Sequence, residues 1–483
     1  MTVKNVLESR VWPSISTIAQ QVQSGEVTAL SQVNKCLQII AELNPEYRAV
    51  ISVLEKNATM RANEIDSKIN SGEIVGRLAG VPFIAKDNFL VFGAESTAGS
   101  NILKGFIAPY QATAINKLEA EGAICVAKSN LDAFAHGGST ENSDFFVTKN
   151  PHDTSRVPGG SSGGSAASVA LQMAPFALGT DTGGSIRQPA SYCGVVGYKP
   201  TYGLVSRSGV VAMASSTDTV GVFALNSEDT ALVMDIMSGI DELDGTTIGK
   251  PKLALNDFNM SIKGLKIGVI KEYFEEGVDE EVALTVKSAI EKLKELGADI
   301  VEISLPSLPL ALAVYYIVVP AELSSNLARH DGQRYQYSYS GAKNLDESYE
   351  QTRSLGFGAE AKRRIMIGAH VLSSGYYEAY YKKAQTVRTK IIQEFENAFK
   401  SVDFLVGPVA PTTAFKIGEN DNDPVKMYLQ DIMTVASNLS GNPAISVPCG
   451  LVRGLPVGLQ LIAPQRRDRE LLALSSIYES ISK

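Results

Sequence analysis

The sequence contains few of the residues on which many active sites and metal sites depend. It has four histidines, four cysteines and a single tryptophan in 483 residues. The cysteines are far apart, which excludes a paired-cysteine zinc site and a dense disulfide framework, so we expect reduced thiols packed as small apolar groups. The scarcity of histidine leaves few candidates for histidine-based catalysis. We therefore expect no metal site, and a catalytic base other than histidine.

Positive charge and long apolar runs are also scarce. The chain has 44 basic and 52 acidic side chains and a net charge of −8, which argues against this chain alone gripping a nucleic-acid backbone. The longest apolar run, residues 308–321, is shorter than the ~20 residues that a membrane helix needs. The first residues lack the apolar centre of a secretory signal. These absences predict a soluble, cytoplasmic protein without a membrane partner.

Short apolar runs alternate with segments of helical periodicity along most of the chain. Helices on both sides of a central sheet follow from this alternation. A turn at Arg453-Gly454 between two late strands predicts a hairpin, which makes the sheet mixed. The expected fold class is α/β, a three-layer α/β/α sandwich around a central mixed β-sheet. The predicted strands lie at residues 49–54, 81–85, 124–127, 266–270, 301–305, 404–406, 444–447 and 457–462.

The chain shows no internal repeat and no long linker, so we expect one domain over residues 1–483. Residues 1–72 are expected to form an N-terminal helical layer. Residues 73–225 form the core segment in this interpretation, and residues 265–483 complete the sheet and a pocket. Residues 226–264 are then the most tolerant surface connection.

Residues 159–200 are rich in glycine and serine but poor in charge. They hold three charged residues in 42, where an average segment of this chain would hold about eight. Flexible linkers lack the apolar stretches that stand here directly beside the glycines. Buried hydroxyl and N–H groups must be paired or must face a ligand. The turns Gly159–Ser161 and Gly183–Ser185 therefore indicate a site, although each alone is also typical of a structural turn.

Several kinds of glycine-rich site are possible. The segment lacks the lysine of a phosphate-binding loop and does not match a dinucleotide-binding fingerprint. Residues 159–163 fit the nucleophile elbow of an α/β-hydrolase, in which His330 or His370 would be the base. His136 and Ser161 are only 25 positions apart, which is too few for the strands and helices that such a fold places between them. A neutral lysine is the physical alternative as a base.

Lys86 ends the first continuous apolar run of the core segment. Strand ends are where α/β proteins place their sites. Removal from water lowers the pKa of a lysine towards neutrality, so that the amine can accept a proton. The alternative interpretation is a lysine that reaches solvent and pairs with Asp87.

Three motifs occur in the order Gly80–Asn88 (GVPFIAKDN), Pro158–Ser165 (PGGSSGGS) and Asp181–Pro189 (DTGGSIRQP). Together they resemble the amidase signature family. Any one of them alone would be a weak signal, whereas the combination is specific.

The resemblance implies a Ser-Ser-Lys triad. Ser185 is then the nucleophile, Ser161 the relay serine that follows a cis peptide bond, and Lys86 the base. Neutral Lys86 would take the proton of Ser161 while Ser161 takes that of Ser185, which attacks an amide carbonyl. The resemblance also implies an oxyanion hole made by the backbone N–H groups around Thr182, Gly183, Gly184 and Ser185.

Four further motifs stand at Thr140–Ser143, Gly197–Gly203, Ser324–Arg329 and Ser373–Tyr377. They resemble the glutaminase subunits of tRNA-dependent amidotransferases. Such a protein hydrolyses glutamine and passes ammonia to a B subunit, which amidates Glu on tRNA(Gln), and a C subunit braces the pair. The resemblance implies a heterotrimer, with tRNA, ATP and Mg handled mainly by the B subunit and no cofactor in this chain. A stand-alone amidase for small amides and a non-catalytic scaffold are the alternatives.

The resemblance also implies a glutamine pocket. Arg364 would bind the substrate carboxylate, Asp431 its amino group, and Tyr315 would line the pocket. An arginine fork suits a carboxylate, and an acid suits an ammonium group. The alternatives are a solvated helix face for Arg364 and an ordinary surface acid for Asp431. The chain departs from the family at residues 136–138, where His-Gly-Gly replaces a more usual Met-Gly-Ser, which leaves the triad untouched.

Overall fold

The computed structural model describes residues 12–252, 254–275, 277–335, 337–420 and 423–482. In this part of the chain, eleven strands form one sheet. The strands are β1 (Val50–Val53), β2 (Pro82–Lys86), β3 (Ile124–Ser129), β4 (Phe176–Asp181), β5 (Val196–Lys199), β6 (Thr219–Ala224), β7 (Lys266–Ile270), β8 (Asp299–Ile303), β9 (Phe404–Pro408), β10 (Ala444–Val452) and β11 (Leu455–Ile462).

The sheet is mixed, as predicted, with strand order β1-β3-β2-β4-β6-β5-β10-β11-β9-β7-β8. β2 runs parallel to β3 and β4, and β7 runs parallel to β8 and β9. The remaining pairs are antiparallel, including the predicted late hairpin of β10 and β11. All eight predicted strands overlap observed ones.

The strands β4, β5 and β6 lie in the middle of the sheet and were not predicted. Each contains a glycine, so its apolar run is short and weak as a signal. In β6, a Cβ atom at Gly221 would collide with the carbonyl oxygen of Tyr198. Close approach of the backbones, rather than side-chain packing, therefore selects the residue there.

The helices pack around the sheet and form two large buried clusters. One cluster joins the sheet to the N-terminal helices and to α4, α5, α7, α8 and α15, and the other gathers α9, α11, α12 and α14. The helices are α1 (Ile15–Gln23), α2 (Ala29–Tyr47), α3 (Glu55–Asn70), α4 (Thr113–Ala120), α5 (Gly163–Ala170), α6 (Arg187–Cys193), α7 (Ser227–Met237), α8 (Glu280–Glu295), α9 (Ala311–Asn326), α10 (Leu345–Gly356), α11 (Ala359–Leu372), α12 (Lys383–Ala398), α13 (Pro424–Tyr428), α14 (Val435–Leu439) and α15 (Asp468–Ser482).

Two expectations need adjustment. The surface connection is shorter than residues 226–264, because α7 is almost entirely buried and packs against α4 and α15. A helix buried on every side has no polar face, so its sequence lacks the amphipathic pattern. Residues 1–11 of the expected helical layer lie outside the described residues.

The helical stretch Leu308–Arg329 is long and apolar enough to cross a membrane by length and composition. It is longer than the predicted apolar run because the helix continues past Pro320. Half of its most apolar window is buried inside the protein, and Val314, Val318 and Leu323 belong to the second buried cluster. Packing inside the protein therefore accounts for its apolar residues.

Candidate active site

Lys86 stands at the end of β2 and is completely buried. Its Nζ lies 2.8 Å from the Oγ of Ser161, 2.8 Å from the Oγ of Ser162 and 3.0 Å from the Oγ1 of Thr180. Among the described residues, no carboxylate forms an ion pair with it. Burial lowers the pKa of Lys86 to about 7, against the opposing pull of more distant carboxylates. A substantial neutral fraction therefore exists near pH 7.

The hydroxyl groups around Lys86 fix the direction of its lone pair. Ser162 donates its hydroxyl proton to the carbonyl oxygen of Thr180, 3.1 Å away, so it can only accept from Lys86. The Oγ1 of Thr180 accepts from the amide of Asn88 at 3.1 Å and from Lys86. A neutral amine has two N–H groups and one lone pair, and these two acceptors take both N–H groups. The lone pair then faces Ser161, whose proton it can receive.

A second buried lysine on the neighbouring strand shows the contrasting environment. The Nζ of Lys128, in β3, lies 2.7 Å from the carboxylate of Asp87 in a fully buried ion pair. The alternative in which Asp87 pairs with Lys86 is therefore wrong. The two buried lysines lie close together in the sheet, but only Lys128 has a carboxylate partner.

The turn that carries Ser161 is held by side chains from other segments. The peptide bond between Gly160 and Ser161 is cis, as the resemblance implied. The side chain of Gln188 accepts from the N–H of Gly160 at 2.9 Å and donates to the carbonyl of Gly138 at 2.8 Å. A Cβ atom at Gly160 would collide with the carboxylate of Asp132. Close packing therefore requires glycine beside the relay serine.

Ser185 follows β4 on the second glycine turn, and Asp181 anchors that turn. The carboxylate of Asp181 accepts from the N–H groups of Gly184 at 2.8 Å and Ile186 at 3.2 Å and pairs with the buried Arg187 at 2.9 Å. Burial raises the pKa of Asp181, but Arg187 outweighs this effect and holds it at about 2. The N–H of Ser162 donates to the carbonyl of Ser185 at 3.2 Å, which joins the two turns.

These contacts correct one part of the predicted oxyanion hole. The N–H of Gly184 is occupied by Asp181, so the prediction that it faces a substrate oxygen is wrong. The N–H groups of Thr182, Gly183 and Ser185 have no acceptor in the described part of the chain. A carboxylate that orients the turn from behind explains the difference, because it needs one N–H of the turn for itself.

A cavity of about 190 Å³ borders this turn. Thr180, Thr182, Asn88 and Asp218 contribute to its wall. The hydroxyl of Thr182 donates to Asp218 at 2.7 Å, which fixes the side chain at the edge of the cavity. The turn therefore borders a space large enough for a small molecule.

The predicted pocket residues lie beside the two turns. A Cβ atom at Gly183 would stand 2.6–2.8 Å from the ring and hydroxyl of Tyr315. A Cβ atom at Gly138 would stand 3.7 Å from the carboxylate of Asp431 and from the amide of Gln188. Tyr315 therefore covers the turn of Ser185, and Asp431 lies next to the segment that Gln188 ties to Gly160.

Arg364 completes this group. It is 3% exposed, so the alternative of a solvated helix face is wrong. Its guanidinium carbon lies 5.2 Å from the ring centroid of Tyr316, whose hydroxyl donates to Asp431 at 3.4 Å. Burial raises the pKa of Asp431 to about 7, and Arg364 partly opposes the rise. The structure thus connects Arg364 to Asp431 through Tyr316 and places Tyr315 against the turn of Ser185.

The sequence analysis missed several residues of the site. Ser162 and Thr180 stand inside or next to the recognised motifs, and their density of hydroxyl groups was the available signal. Tyr316, Glu360 and Tyr428, which surround Arg364, stand in segments without such a pattern. Only the packing of other segments identifies Tyr316 and Tyr428, whereas Glu360 stands one turn before Arg364 on the same helix, a spacing typical of helical ion pairs.

The histidines do not form a catalytic arrangement with the serines. In the described residues, His136 is buried without a hydrogen-bond partner for its ring. His330 packs among aromatic rings, and the exposed His370 lies against Tyr376. The α/β-hydrolase alternative is therefore wrong. Within the same residues, no group of three or more histidine, cysteine or acidic side chains could hold a metal ion.

Comparisons with known proteins agree with this geometry. The family model described as Amidase matches residues 31–472. The A subunit of the glutamyl-tRNA(Gln) amidotransferase of Thermoanaerobacter pseudethanolicus is 51% identical over 471 residues, which cover 97% of this chain and 96% of that one. The crystal structure of the protein of the same name from Thermotoga maritima matches with a TM-score of 0.78 and 39% identity, over 100% of this chain and 95% of that one. A bacterial aryl acylamidase matches with a TM-score of 0.85 and 25% identity, over 97% and 96%.

Proposed function

The chain belongs to the amidase family, and from that premise we propose that it is the glutamine-hydrolysing component of a tRNA-dependent amidotransferase. The observation that carries the proposal is the buried Lys86 amine, 2.8 Å from the Ser161 hydroxyl and surrounded by hydroxyl groups. The full-length relative from Thermoanaerobacter pseudethanolicus, whose name is that of a glutamyl-tRNA(Gln) amidotransferase, supports the choice of glutamine.

Ser185 is the nucleophile, and Ser161 and Lys86 move its proton. As the Oγ of Ser185 bonds to the carbon of the substrate amide, its proton passes to Ser161, and the proton of Ser161 passes to the Nζ of Lys86. The amide oxygen becomes an oxyanion, which the N–H groups of Thr182 and Gly183 stabilise. Transfer in the opposite direction protonates the amide nitrogen, so the carbon–nitrogen bond breaks and ammonia leaves.

Water completes the cycle. It attacks the ester formed on Ser185, while Ser161 and Lys86 accept its proton in the same order as before. The ester bond then breaks, Ser185 recovers a proton, and glutamate is released. A base with a pKa of about 7 suits this sequence, because it must gain and lose a proton in every half-reaction.

Glutamine is recognised by groups that match its charged ends. Arg364 binds the α-carboxylate, and Asp431 binds the α-ammonium group. Tyr315, which lies against Gly183, bounds the pocket above the nucleophile. Burial raises the pKa of Asp431, and an ammonium group bound beside its carboxylate would offset that rise.

The ammonia serves a second active site in a partner. We place this chain in a cytoplasmic heterotrimer with B and C subunits, in which the B subunit holds the charged tRNA, uses ATP and Mg, and amidates Glu-tRNA(Gln). The name of the relatives supports a multi-subunit enzyme. The net charge of −8 is consistent with a chain that leaves the RNA to its partner. This chain itself needs no cofactor in the proposed mechanism.

The test uses the complex reconstituted with its B and C subunits. Ser185→Ala is expected to abolish glutamine-dependent formation of Gln-tRNA(Gln) and to retain the reaction driven by ammonium chloride. The matched control is Ser168→Ala, because this buried serine bonds only within its own helix region. Glutamine use that survives in Ser185→Ala would overturn the proposal.

The rival function is a stand-alone amidase for small amides, which the likeness to an aryl acylamidase favours. The isolated chain assayed with glutamine and with aryl amides separates the two. Rapid turnover of many amides without the partner proteins would support the rival. A non-catalytic scaffold predicts instead that Ser185→Ala changes nothing in the complex.

A further inference from the structure

The guanidinium group of Arg364 is fixed by a neighbour on its own helix. Its Nε donates to the Oε1 of Glu360, one turn earlier in α11, at 2.8 Å. Its two terminal amino groups have no acceptor among the described residues. A carboxylate that occupies the Nε edge leaves the opposite edge, with one N–H from each terminal amino group, for a ligand.

Glu360 is in turn held by a residue from another helix. The hydroxyl of Tyr428, at the end of α13, donates to the same Oε1 at 3.1 Å. The rings of Tyr428 and Tyr316 stack at 4.0 Å, and the guanidinium carbon of Arg364 lies 5.6 Å and 5.2 Å from their centroids. One carboxylate and two aromatic rings therefore hold the guanidinium group of Arg364 in one orientation.

The same group reaches the acid expected to bind the substrate amine. Tyr316 donates to Asp431 at 3.4 Å, and Asp431 follows Tyr428 by three residues in the chain. Arg364 and Asp431 are thus connected through Tyr316, by a ring contact with Arg364 and a hydrogen bond to Asp431, and this connection restricts the distance between them. A free amino acid carries its carboxylate and ammonium groups at a fixed separation. Arg364 and Asp431, held in place together, can therefore select ligands with that separation.

We propose that Glu360 and Tyr428 are positioning residues that aim Arg364 at the substrate α-carboxylate, and that they thereby select free glutamine over amides that lack this group. The inference rests on the proposed function. Neither residue touches the reacting atoms, so both act through Arg364. Loss of Glu360 would leave a buried cation without its partner and with freedom to turn its fork away.

The test compares glutamine with glutamine α-amide, which lacks the α-carboxylate, in the reconstituted complex. Glu360→Ala is expected to raise the KM for glutamine about 10- to 100-fold, with kcat within about twofold. The ratio of kcat/KM for glutamine to that for the α-amide is expected to fall by the same factor. An unchanged ratio would overturn the inference.

Three further variants make the result specific. Glu360→Gln keeps an oxygen for the Nε of Arg364 and is expected to restore most of the affinity, whereas Tyr428→Phe is expected to raise KM about threefold. The matched control is Arg363→Gln, because Arg363 contacts the same carboxylate from a position that is 45% exposed. Its KM is expected to stay within about twofold of the unaltered enzyme. Equal effects of Arg363→Gln and Glu360→Ala would contradict the proposed role.

Arg364→Met separates this inference from the proposed function. An unchanged KM for glutamine in Arg364→Met would contradict the recognition scheme on which both rest. A raised KM in Arg364→Met with an unchanged KM in Glu360→Ala would contradict the positioning role alone. If Glu360→Ala does not fold, as its melting curve would reveal, Tyr428→Phe carries the test, and an unchanged KM in that variant would contradict the positioning role.

Discussion

The site combines two regions that are built in different ways. Every residue from Gly159 to Cys193 is buried, and this one segment supplies the turns of Ser161 and Ser185 as well as Gln188 and Asp181, whose side chains hold them. The pocket region is assembled instead from side chains of α9, α11 and α13, several of them only half-buried. Chemistry that rests on backbone geometry cannot change without disturbing the fold, whereas the pocket can change by substitution. This contrast fits a family in which one fold serves different amides.

The largest effects are expected when the buried lysines Lys86 and Lys128 are replaced. Lys86→Met is expected to lower kcat by at least about 10³-fold with little change in the unfolding midpoint, because the variant loses the base but leaves no charge unpaired. Lys128→Met leaves Asp87 buried without its partner, and we expect it to lower the free energy of unfolding by about 3–5 kcal/mol. Steady-state kinetics and urea unfolding measure the two effects. If the two variants lost the same property, the distinct environments of the lysines would have no functional meaning.

A smaller effect is expected where the two regions touch. In Gly183→Ala the new Cβ would press on the ring of Tyr315, so we expect a loss of about 1–3 kcal/mol in stability and of about 10²-fold in kcat as the N–H of residue 183 moves. Adding Tyr315→Ala should restore stability more than the two single changes predict. Strict additivity in this double-mutant cycle would show that the regions are independent.

The pH dependence distinguishes the two regions through their titrating groups. Lys86 must be neutral, and burial lowers its pKa to about 7, so kcat is expected to rise about tenfold per pH unit below 7 and to level off above it. In the free enzyme Asp431 must be ionised and also has a pKa of about 7. Below pH 7 the value of kcat/KM should therefore rise about 100-fold per pH unit in the unaltered enzyme, and only about tenfold per pH unit in Asp431→Asn. A kcat profile that stays flat from pH 5 to pH 8 would contradict the role of Lys86.

The smallest effect is expected outside both regions, at the start of α10. Asn344 caps α10, where its side chain accepts from the N–H of Glu347 at 2.9 Å. Asn344→Ala is expected to cost about 1 kcal/mol of stability and to leave kcat and KM unchanged. Chemical unfolding together with a glutamine assay checks both statements. A large change in KM would mean that the pocket depends on α10 as a whole.

Parts of the site could be predicted because their chemistry is local in the sequence. Lys86, Ser161 and Ser185 stand in short motifs whose composition is unusual for a folded chain, and the structure brings all three to one place. The occupied N–H of Gly184 could not be predicted, because it depends on where the Asp181 carboxylate turns. The strand β6 was also missed. Its glycine is required by the close approach of the β5 backbone, which no apolar pattern in the sequence indicates.

The sequence by itself determined the fold class and the mixed sheet, because apolar periodicity acts over a few neighbouring residues, and its three short motifs carry the resemblance that implies the triad. Only the tertiary structure decided which carboxylate faces which cation. Asp87 pairs with Lys128 instead of Lys86, and Tyr428 reaches the Glu360–Arg364 pair from another helix. Electrostatic interactions act through space between groups far apart in the chain, so no local pattern encodes them.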